Sequence, residues 1–452
     1  MTHGKKAIQS AIDRILHLFR TTYRGPDALP VYDVDGETGK PLSKRNLLSE
    51  FDDYAPFFWV LGEHSMVNDH FLILKTRLQQ KPLLFSRPQI RAIKGLGLPG
   101  LLRRLPYADS QDYVEILYGL AELYTLSNED KFLQTAENLF TGIVKNFERN
   151  GTIQSFRLMP FGPTLPLADA MSGMFIEIAS ELSALTKSKL LKQYYLDCAS
   201  KWMKWWIETD LFQQYGVFPS VAVKGWPRSL PGIREKLSLA ELAKPNTSMA
   251  YGILALAAPP HLDPIARQVF ERWMDGITRC FMTPDGVFGH LAELKGSVNK
   301  GPVLSTNFAM LDILCDAVSL FDCKNSKRIA VTITDYFLKF RSPNTGLIPD
   351  EPGKERSYLD ANSDFAVSLA KMTEITGETK YREAGCSIVD SILKYHSAPY
   401  GFYRDVHLHT GKPLSPLVET RFCSLLLKTL YLYRDDIPIY DESGKWSLFR
   451  DR

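Results

Sequence analysis

The sequence predicts an all-α fold in which two sets of helices alternate and close into a double ring, an (α/α) toroid. Three observations predict it: a repeat of helix pairs, a glycine marker in register with that repeat, and an alternation of apolar with amphipathic helices. The 452 residues would suffice for about three ordinary domains, but an internal repeat favours one domain built from copies of one unit. We expect a single toroid over 1–452, with an outer helix and loop at 1–46 and a tail at 434–452.

The repeat is clearest between two distant segments. LAELYTLSNEDKFLQTAENLF at 120–140 resembles SLAKMTEITGETKYREAGCSIV at 368–389, since each gives an apolar helix, a short polar turn and a second helix. Looser copies lie at 184–202 and 317–337. Each copy predicts one helical hairpin.

A glycine followed by apolar residues marks the end of successive second helices. Glycine is suited to a chain that reverses after a helix C-terminus, and five such markers in register indicate a repeated turn. The five are Gly151, Gly216, Gly286, Gly346 and Gly401.

The predicted helices fall into an apolar set and an amphipathic set. Helices that are apolar all round are buried, so the first set is expected inside the ring. Alternation of the two sets predicts seven helix pairs, or six if one pair does not take part. The apolar helices are predicted at 47–61, 110–126, 168–186, 246–257, 305–320, 361–376 and 417–433. The amphipathic helices are predicted at 5–22, 64–79, 129–148, 187–208, 262–281, 324–340 and 379–396.

The connections of this pattern are unequal in length. Turns from an inner to an outer helix are short, whereas connections back to the next inner helix are long, and long loops in compact domains usually serve function. All the long loops should emerge on the face where the inner helices begin. Helix N-termini bring partial positive charge and unpaired N–H groups there, so we expect the functional site at that mouth.

Acidic residues recur at the predicted starts of the inner helices. Several carboxylates around one cavity are what glycoside hydrolysis requires, since one carboxyl group must be protonated and another ionised. The same residue types are also preferred helix caps, and both interpretations stay open. Glu419 is the first catalytic candidate because Glu is a poor N-cap, and Asp364 follows because it lies a turn inside its helix. Asp112 and Asp53 complete the predicted catalytic set.

A second group of residues is predicted to bind substrate. Aromatic rings beside hydrogen-bonding groups suit sugars, whose C–H faces stack on aromatics, although ordinary loop packing explains the same residues. The group comprises Trp226, Tyr107, Tyr358 and Tyr403 from the loops, Asp360 and Asn307 from helix starts, Arg421 beside Glu419, and His409.

Histidine, cysteine and glycine patterns supply no cofactor site. His407 and His409 stand at i, i+2, where an extended chain would place both on one face for proton transfer or metal binding, but no third ligand accompanies them. The six cysteines are scattered without a CxxC pair, and no phosphate-binding glycine motif occurs. We expect neither metal nor cofactor, and reduced thiols in a cytoplasmic protein.

Charge and hydropathy exclude several classes of partner. Lys+Arg is 54 and Asp+Glu 51, a net charge of +3, whereas nucleic-acid binders show a clear basic excess. We find no secretory signal and no run of 18 apolar residues, so no transmembrane segment is expected. The amphipathic N-terminal helix is expected to pack on the protein body, with a membrane-surface role as the alternative. The oligomeric state stays open.

The helix-pair pattern resembles the six- and seven-hairpin toroids of carbohydrate-active enzymes over about residues 47–433. Seven pairs, together with SPLVETRFCSLLLKTLYLYRDD at 415–436, resemble class I α-mannosidases, although the threonine motif with which those bind calcium is missing. GFYRDVHLHTGKPLSPLVETRF at 401–422 is similar to the tail of N-acylglucosamine 2-epimerase-type toroids. The usual histidine of their last helix is replaced near Glu419. Seven pairs also occur in lanthionine cyclases, whose zinc ligands are absent here.

The resemblance implies a carbohydrate-active enzyme acting on an oligosaccharide or other sugar-containing substrate. A glycoside hydrolase is the first hypothesis, with Glu419 as the acid and Asp112, Asp364 or Asp53 as the base, about 6.5–9.5 Å away if the reaction inverts configuration. The alternatives are a sugar epimerase or polysaccharide lyase that uses His or Tyr, and a non-catalytic carbohydrate- or partner-binding toroid.

Overall fold

The structure is a computed structural model. It describes residues 2–80, 107–158, 162, 164, 167–222, 242–243, 245–293, 297–435 and 437–444.

The described residues form fifteen α-helices joined by short antiparallel strands, and every predicted helix is represented. The predicted inner helices are α2 (Ala55–Val60), α4 (Gln111–Ser127), α6 (Ser172–Leu185), α9 (Thr247–Ala257), α11 (Leu304–Phe321), α13 (Leu359–Thr376) and α15 (Thr420–Asp435). The predicted outer helices are α1 (Thr2–Thr21), α3 (His64–Gln80), α5 (Asp130–Phe147), α7 (Lys189–Ile207), α10 (Pro264–Phe281), α12 (Lys324–Leu338) and α14 (Thr379–Tyr395). A short helix that the sequence pattern missed, α8 (Asp210–Tyr215), follows α7.

Short strands fill the long connections. They are β1 (Asp33–Asp35), β2 (Tyr107–Asp109), β3 (Glu148–Arg149), β4 (Thr152–Ile153), β5 (Phe156–Leu158), β6 (Ala168–Asp169), β7 (Val221–Ala222), β8 (Leu242–Ala243), β9 (Leu291–Glu293), β10 (Ser297–Lys300), β11 (Arg356–Tyr358), β12 (Ser397–Ala398), β13 (Gly401–Phe402), β14 (Asp405–His407) and β15 (Leu417–Glu419). The pairs are β1–β15, β2–β5, β3–β4, β6–β7, β11–β14 and β12–β13, and β9 lies between β8 and β10.

The chain divides into two compact units. The first unit contains Met1–Phe71, Thr283–Phe288 and Gly301–Arg452, and the second contains Leu72–Met282 and Gly289–Lys300. The single domain expected over 1–452 stays a prediction.

Within each unit, the helices pack as the predicted pairs require. In the first unit α13 packs between α11 and α15, and α12 and α14 pack against α11 and α13. In the second unit α6 packs between α4 and α9, each of which also contacts the helix that follows it. The apolar helices α13 and α6 therefore each contact two apolar neighbours and their own amphipathic partner, as alternating layers require.

The N-terminal helix α1 packs against α15 and α14 of the first unit. Its apolar residues Ile8, Ile12, Ile15, Leu16 and Phe19 are all buried. Since burial of that face provides most of the stability of such a helix, the packed interpretation of this helix is confirmed over the membrane-surface alternative.

All five marker glycines adopt positive φ. The φ values are +89°, +73°, +78°, +76° and +127° for Gly151, Gly216, Gly286, Gly346 and Gly401. At Gly216 a Cβ would also lie 2.6 Å from the backbone oxygen of Arg272. Both the positive φ and this close contact therefore disfavour any side chain there. The repeated reversal predicted from these glycines is confirmed.

Three expected helix starts are wrong. The helix predicted from 168 begins at Ser172, because Ala168–Asp169 pairs as β6 with β7. The other two are the first and last inner helices. The segment predicted as one helix over 47–61 is a 3₁₀ turn at Leu48–Glu50 followed by α2, because Pro56 lies in the first turn of α2 and disfavours a helix before it. The last inner helix starts at Thr420 and not at 417, because Leu417–Glu419 pairs as β15 with β1. All three errors occur where the local pattern is overridden by a partner or a proline.

Among the described residues, α11 is apolar and long enough to cross a membrane by length and composition, and half of it is buried within the structure. It packs against α12 and α13, as a core helix does.

Candidate active site

An acidic cluster lies where α13 and α15 of the first unit begin. Its members influence one another's pKa directly or through a shared partner, so they lie close together. We call these residues the carboxylate cluster: Glu50, Asp53, Asp360, Asp364 and Glu419.

Asp364 is the member best suited to proton transfer. Its side chain is only partly exposed, and burial is the main reason that its pKa is raised to about 7. The carboxyl groups of Asp360 and Asp53 raise this pKa further, whereas the ammonium group of Lys428 lowers it. Among the described residues nothing donates a hydrogen bond to this carboxyl group, so Asp364 can hold a proton near neutral pH.

Asp360 lies one helical turn before Asp364 on α13. Burial raises the pKa of Asp360 to about 6, and the carboxyl group of Glu419 contributes to the rise. At i, i+4 the two Asp residues share one helix face with Cβ atoms about 5–6 Å apart. Two neighbouring carboxyl groups that do not ionise together are a common arrangement in acid–base sites.

Asp53 lies in the turn between the 3₁₀ segment and α2, where Arg421 holds it. The Nε of Arg421 donates to Asp53, and its Nη1 lies 3.4 Å from Glu50. Burial raises the pKa of Asp53 and the guanidinium of Arg421 opposes the rise. Arg421 was predicted to contact substrate, but the structure gives it these two carboxylate partners.

Glu419 ends strand β15 and is not inside the last helix. Arg404 donates to it over 3.4 Å. Burial raises the pKa of Glu419 and Arg404 opposes the rise. An ion-paired carboxyl group is a weaker proton donor than one without a cationic hydrogen-bond partner, and the acid role of Glu419 stays a prediction.

Asn307 has a structural role in place of the predicted substrate contact. It is fully buried, its Oδ1 accepts from Phe288 N at 2.9 Å, and its Nδ2 donates to Phe288 O and Val303 O. Both amide N–H groups are therefore used within the protein. This geometry leaves no amide N–H of Asn307 for a substrate, and its predicted substrate role stays untested.

Two other residues that were predicted to contact substrate have partners within the protein. Tyr403 is buried and its hydroxyl donates to Glu37. Tyr107 is 2% exposed and packs edge-on against Phe156 at 5.3 Å. Neither ring offers a platform for a sugar.

Tyr358 and His409 keep some exposure, and their hydrogen-bond partners are not members of the cluster. Tyr358 accepts from Arg356 Nη1 at 3.0 Å. His409 is exposed and its Nδ1 lies 3.2 Å from Ser342 Oγ, beside the outer helices α12 and α14.

Two predicted residues lie elsewhere. Asp112 is buried in the first turn of α4, in the second unit, and its catalytic role stays a prediction. Trp226 lies outside the described residues.

Two contributors were missed in the sequence. Glu50 lies three residues before Asp53, and Lys428 stands alone in an apolar stretch of α15. A single charge in an otherwise apolar helix is the signal that would have found Lys428, since such a charge needs a partner. Among the described residues, no group of three or more His, Cys, Asp or Glu side chains is placed to hold a metal ion.

The fold matches solved carbohydrate-active enzymes over 71% to 96% of the chain. An α-1,2-mannosidase from Trichoderma reesei superposes with a TM-score of 0.66 at 13% identity, covering 96% of this chain and 93% of that chain. A D-mannose isomerase superposes with a TM-score of 0.60 at 7% identity, covering 95% of this chain and 97% of that chain. Cellobiose 2-epimerase from Bacillus thermoamylovorans B4167 superposes with a TM-score of 0.54 at 14% identity, covering 71% of this chain and 88% of that chain.

No protein-family model matches the chain, and no curated protein matches its sequence significantly. At these identities the likeness shows the fold alone. The fold is an (α/α) toroid, as the sequence predicted.

Proposed function

We propose that this chain is a glycoside hydrolase in which Asp364 is the general acid and Asp53 the general base. The observation that carries the proposal is the contrast between these two carboxyl groups. Asp364 lacks a cationic hydrogen-bond partner and has a pKa of about 7, whereas Asp53 is held by Arg421. When the environments of two carboxyl groups set their pKa values apart, one can act as the general acid and the other as the general base.

Asp364 would protonate the glycosidic oxygen and Asp53 would take a proton from water. Lys428 influences the pKa of both Asp residues. As Asp364 gives up its proton, its new negative charge would be stabilised by this ammonium group. The sugar-containing substrate is part of the proposal, which the sugar-processing enzymes of the same fold support.

A sugar epimerase that uses the predicted histidine pair has less support. His407 Nε2 lies 3.2 Å from Glu355, and His409 is exposed against Ser342. Neither histidine is among the groups with the largest effects on the pKa of Asp360 or Asp364. An isomerase or epimerase would therefore need the cluster's own carboxyl groups for proton transfer.

The test is an activity screen with three chains: wild type, Asp364→Asn and the control Asp275→Asn, whose carboxylate is exposed on α10. α-1,2-Mannobiose and cellobiose serve as probes, and NMR distinguishes cleavage from conversion to an isomeric disaccharide. We expect cleavage by wild type and the control, and loss of it in Asp364→Asn. Isomer formation without cleavage, or full cleavage by Asp364→Asn, contradicts the proposal.

A further inference from the structure

A polar pocket lies on the outer side of the first unit, formed by one face of α14 and the turn that follows α12. Its volume is about 510 Å³, within the usual 300–1,000 Å³ range of small-molecule sites. None of its lining residues belongs to the carboxylate cluster. The pocket therefore needs an explanation of its own.

The floor of the pocket is fixed by Arg341. Its Nε donates to Gly346 O at 2.9 Å, and its Nη2 donates to Ser387 Oγ. Gly346 has φ +76°, and a Cβ there would lie 2.5 Å from Ser391 Oγ. The turn and the helix thus meet without room for a side chain, and the guanidinium keeps further N–H groups beyond these two bonds.

The rim combines donors with an acceptor. Lys394 and Asp390 are exposed on α14, and Asn344 is exposed on the turn. The Tyr395 ring completes the wall, with its hydroxyl donating to Asn344 O at 3.2 Å. The pocket thus offers a guanidinium, an ammonium, a carboxylate and an aromatic ring.

This combination fits a neutral polyhydroxy ligand better than an anion. A phosphate or carboxylate would gain from Arg341 and Lys394 but would be repelled by Asp390. Sugar hydroxyls both donate and accept, so one ring could donate to Asp390 and accept from Lys394 at the same time. A ring of this type also has apolar C–H groups for contact with Tyr395.

We propose that this pocket is a second, non-catalytic saccharide-binding site that holds one or two sugar units. This binding site is separate from the proposed hydrolase site. The two proposals can be tested independently, because the pocket residues take no part in the proposed hydrolysis.

The experiment measures binding in the Asp364→Asn background, so that turnover does not consume the probe. Saturation-transfer NMR titrations with cellobiose and α-1,2-mannobiose are compared between that chain and the same chain carrying Asp390→Ala and Lys394→Ala. Both residues are exposed, so folding should be kept, and Asp275→Ala is the control. We expect binding to weaken about tenfold in the double pocket variant and not in the control.

Three outcomes would overturn the proposal. They are the absence of binding of either disaccharide, binding that the pocket variants leave unchanged, and displacement of the bound disaccharide by inorganic phosphate, which would make this an anion site. Failure of the hydrolase proposal would appear differently, as probe turnover by the Asp364→Asn chain.

Discussion

The neighbouring helices α11 and α13 begin alike and then diverge. Each starts with Leu and has Asn at its fourth residue, Asn307 and Asn362. Asn362 accepts from Ile348 N at 2.9 Å and donates to Ile348 O at 3.0 Å, as Asn307 does with Phe288. Both partners stand two residues after a marker glycine. The repeated asparagine therefore ties each helix start to its preceding turn.

The divergence lies at the second and sixth helical residues. In α11 these are Ser305 and Ala309, whereas in α13 they are Asp360 and Asp364. A polar residue that both helices share supports the fold, and one present in a single helix is a candidate for chemistry. The last inner helix α15 lacks this asparagine, since Cys423 is its fourth residue and Glu419 precedes the helix.

The largest expected effect comes from giving α13 the alanine of α11. Asp364→Ala should lower kcat/KM about 10²–10⁴-fold, the usual contribution of a general acid, with a melting temperature no lower than wild type. Enzyme assay and calorimetry check both. Asp275→Asn is the control. Full activity in Asp364→Ala would show that Asp364 has no catalytic role.

The second effect concerns the ion pairs that join the two helices. Lys371 of α13 is buried and lies 2.9 Å from Asp316 and 3.8 Å from Asp312, both on α11. Lys371→Met should lower the free energy of unfolding by about 3–5 kcal/mol, because it leaves carboxylates buried without their cation. Denaturant titration measures the loss. Adding Asp316→Asn to Lys371→Met should recover part of it, and no recovery would argue against unpaired charge as the cause.

The third effect tests the shared asparagines. Asn307→Ala and Asn362→Ala should each lower the free energy of unfolding by about 2–3 kcal/mol, since each leaves a backbone N–H and C=O buried without partners. Asn344→Ala, at an exposed residue, should change it little. If Asn307→Ala lowered kcat/KM while the unfolding free energy stayed unchanged, its structural role would be wrong.

The smallest effect is a pH dependence at Asp360. Its pKa in the folded protein is raised from 3.8 to about 6, so its favourable contribution is complete below about pH 4 and is lost as the pH rises through 6. Asp360→Ser, which supplies the residue of α11, should therefore gain stability over wild type between pH 4 and 7, by about 1–2 kcal/mol after allowance for partial exposure. Melting temperatures across this range measure it. A gain that is equal at pH 4 and pH 7 would contradict the assignment.

Local patterns in the sequence determined the helices well. Apolar periodicity and the marker glycines specify helix ends within a few residues, because turn geometry and burial act locally. The errors at 47–61 and 417–433 arise from long-range pairing and a proline, and strand partners such as β1 for β15 carry no local signal.

The site was only partly predictable for the same reason. Asp53 and Asp364 were chosen because of their place at helix starts, but nothing in the sequence showed that Arg421 holds Asp53 or that Arg404 holds Glu419. Such pairs form between segments about 15 to 370 residues apart. The role of Asn307 could not be predicted, because an asparagine that caps a helix, holds a turn or binds a ligand looks the same in a single sequence.

The pairing of β1 with β15 has a consequence for biosynthesis. Asp33 lies opposite Glu419, Tyr23 donates to Tyr400 O at 2.9 Å, and Thr420 donates to Tyr32 O at 3.1 Å. Several partners of the first 35 residues are thus made almost 400 residues later. At about 5–20 residues per second, the ribosome adds the residues between them in about 20–80 s. Until then the face of α1 that packs against α15 lacks its partner, and a chain stopped before residue 400 would never acquire it.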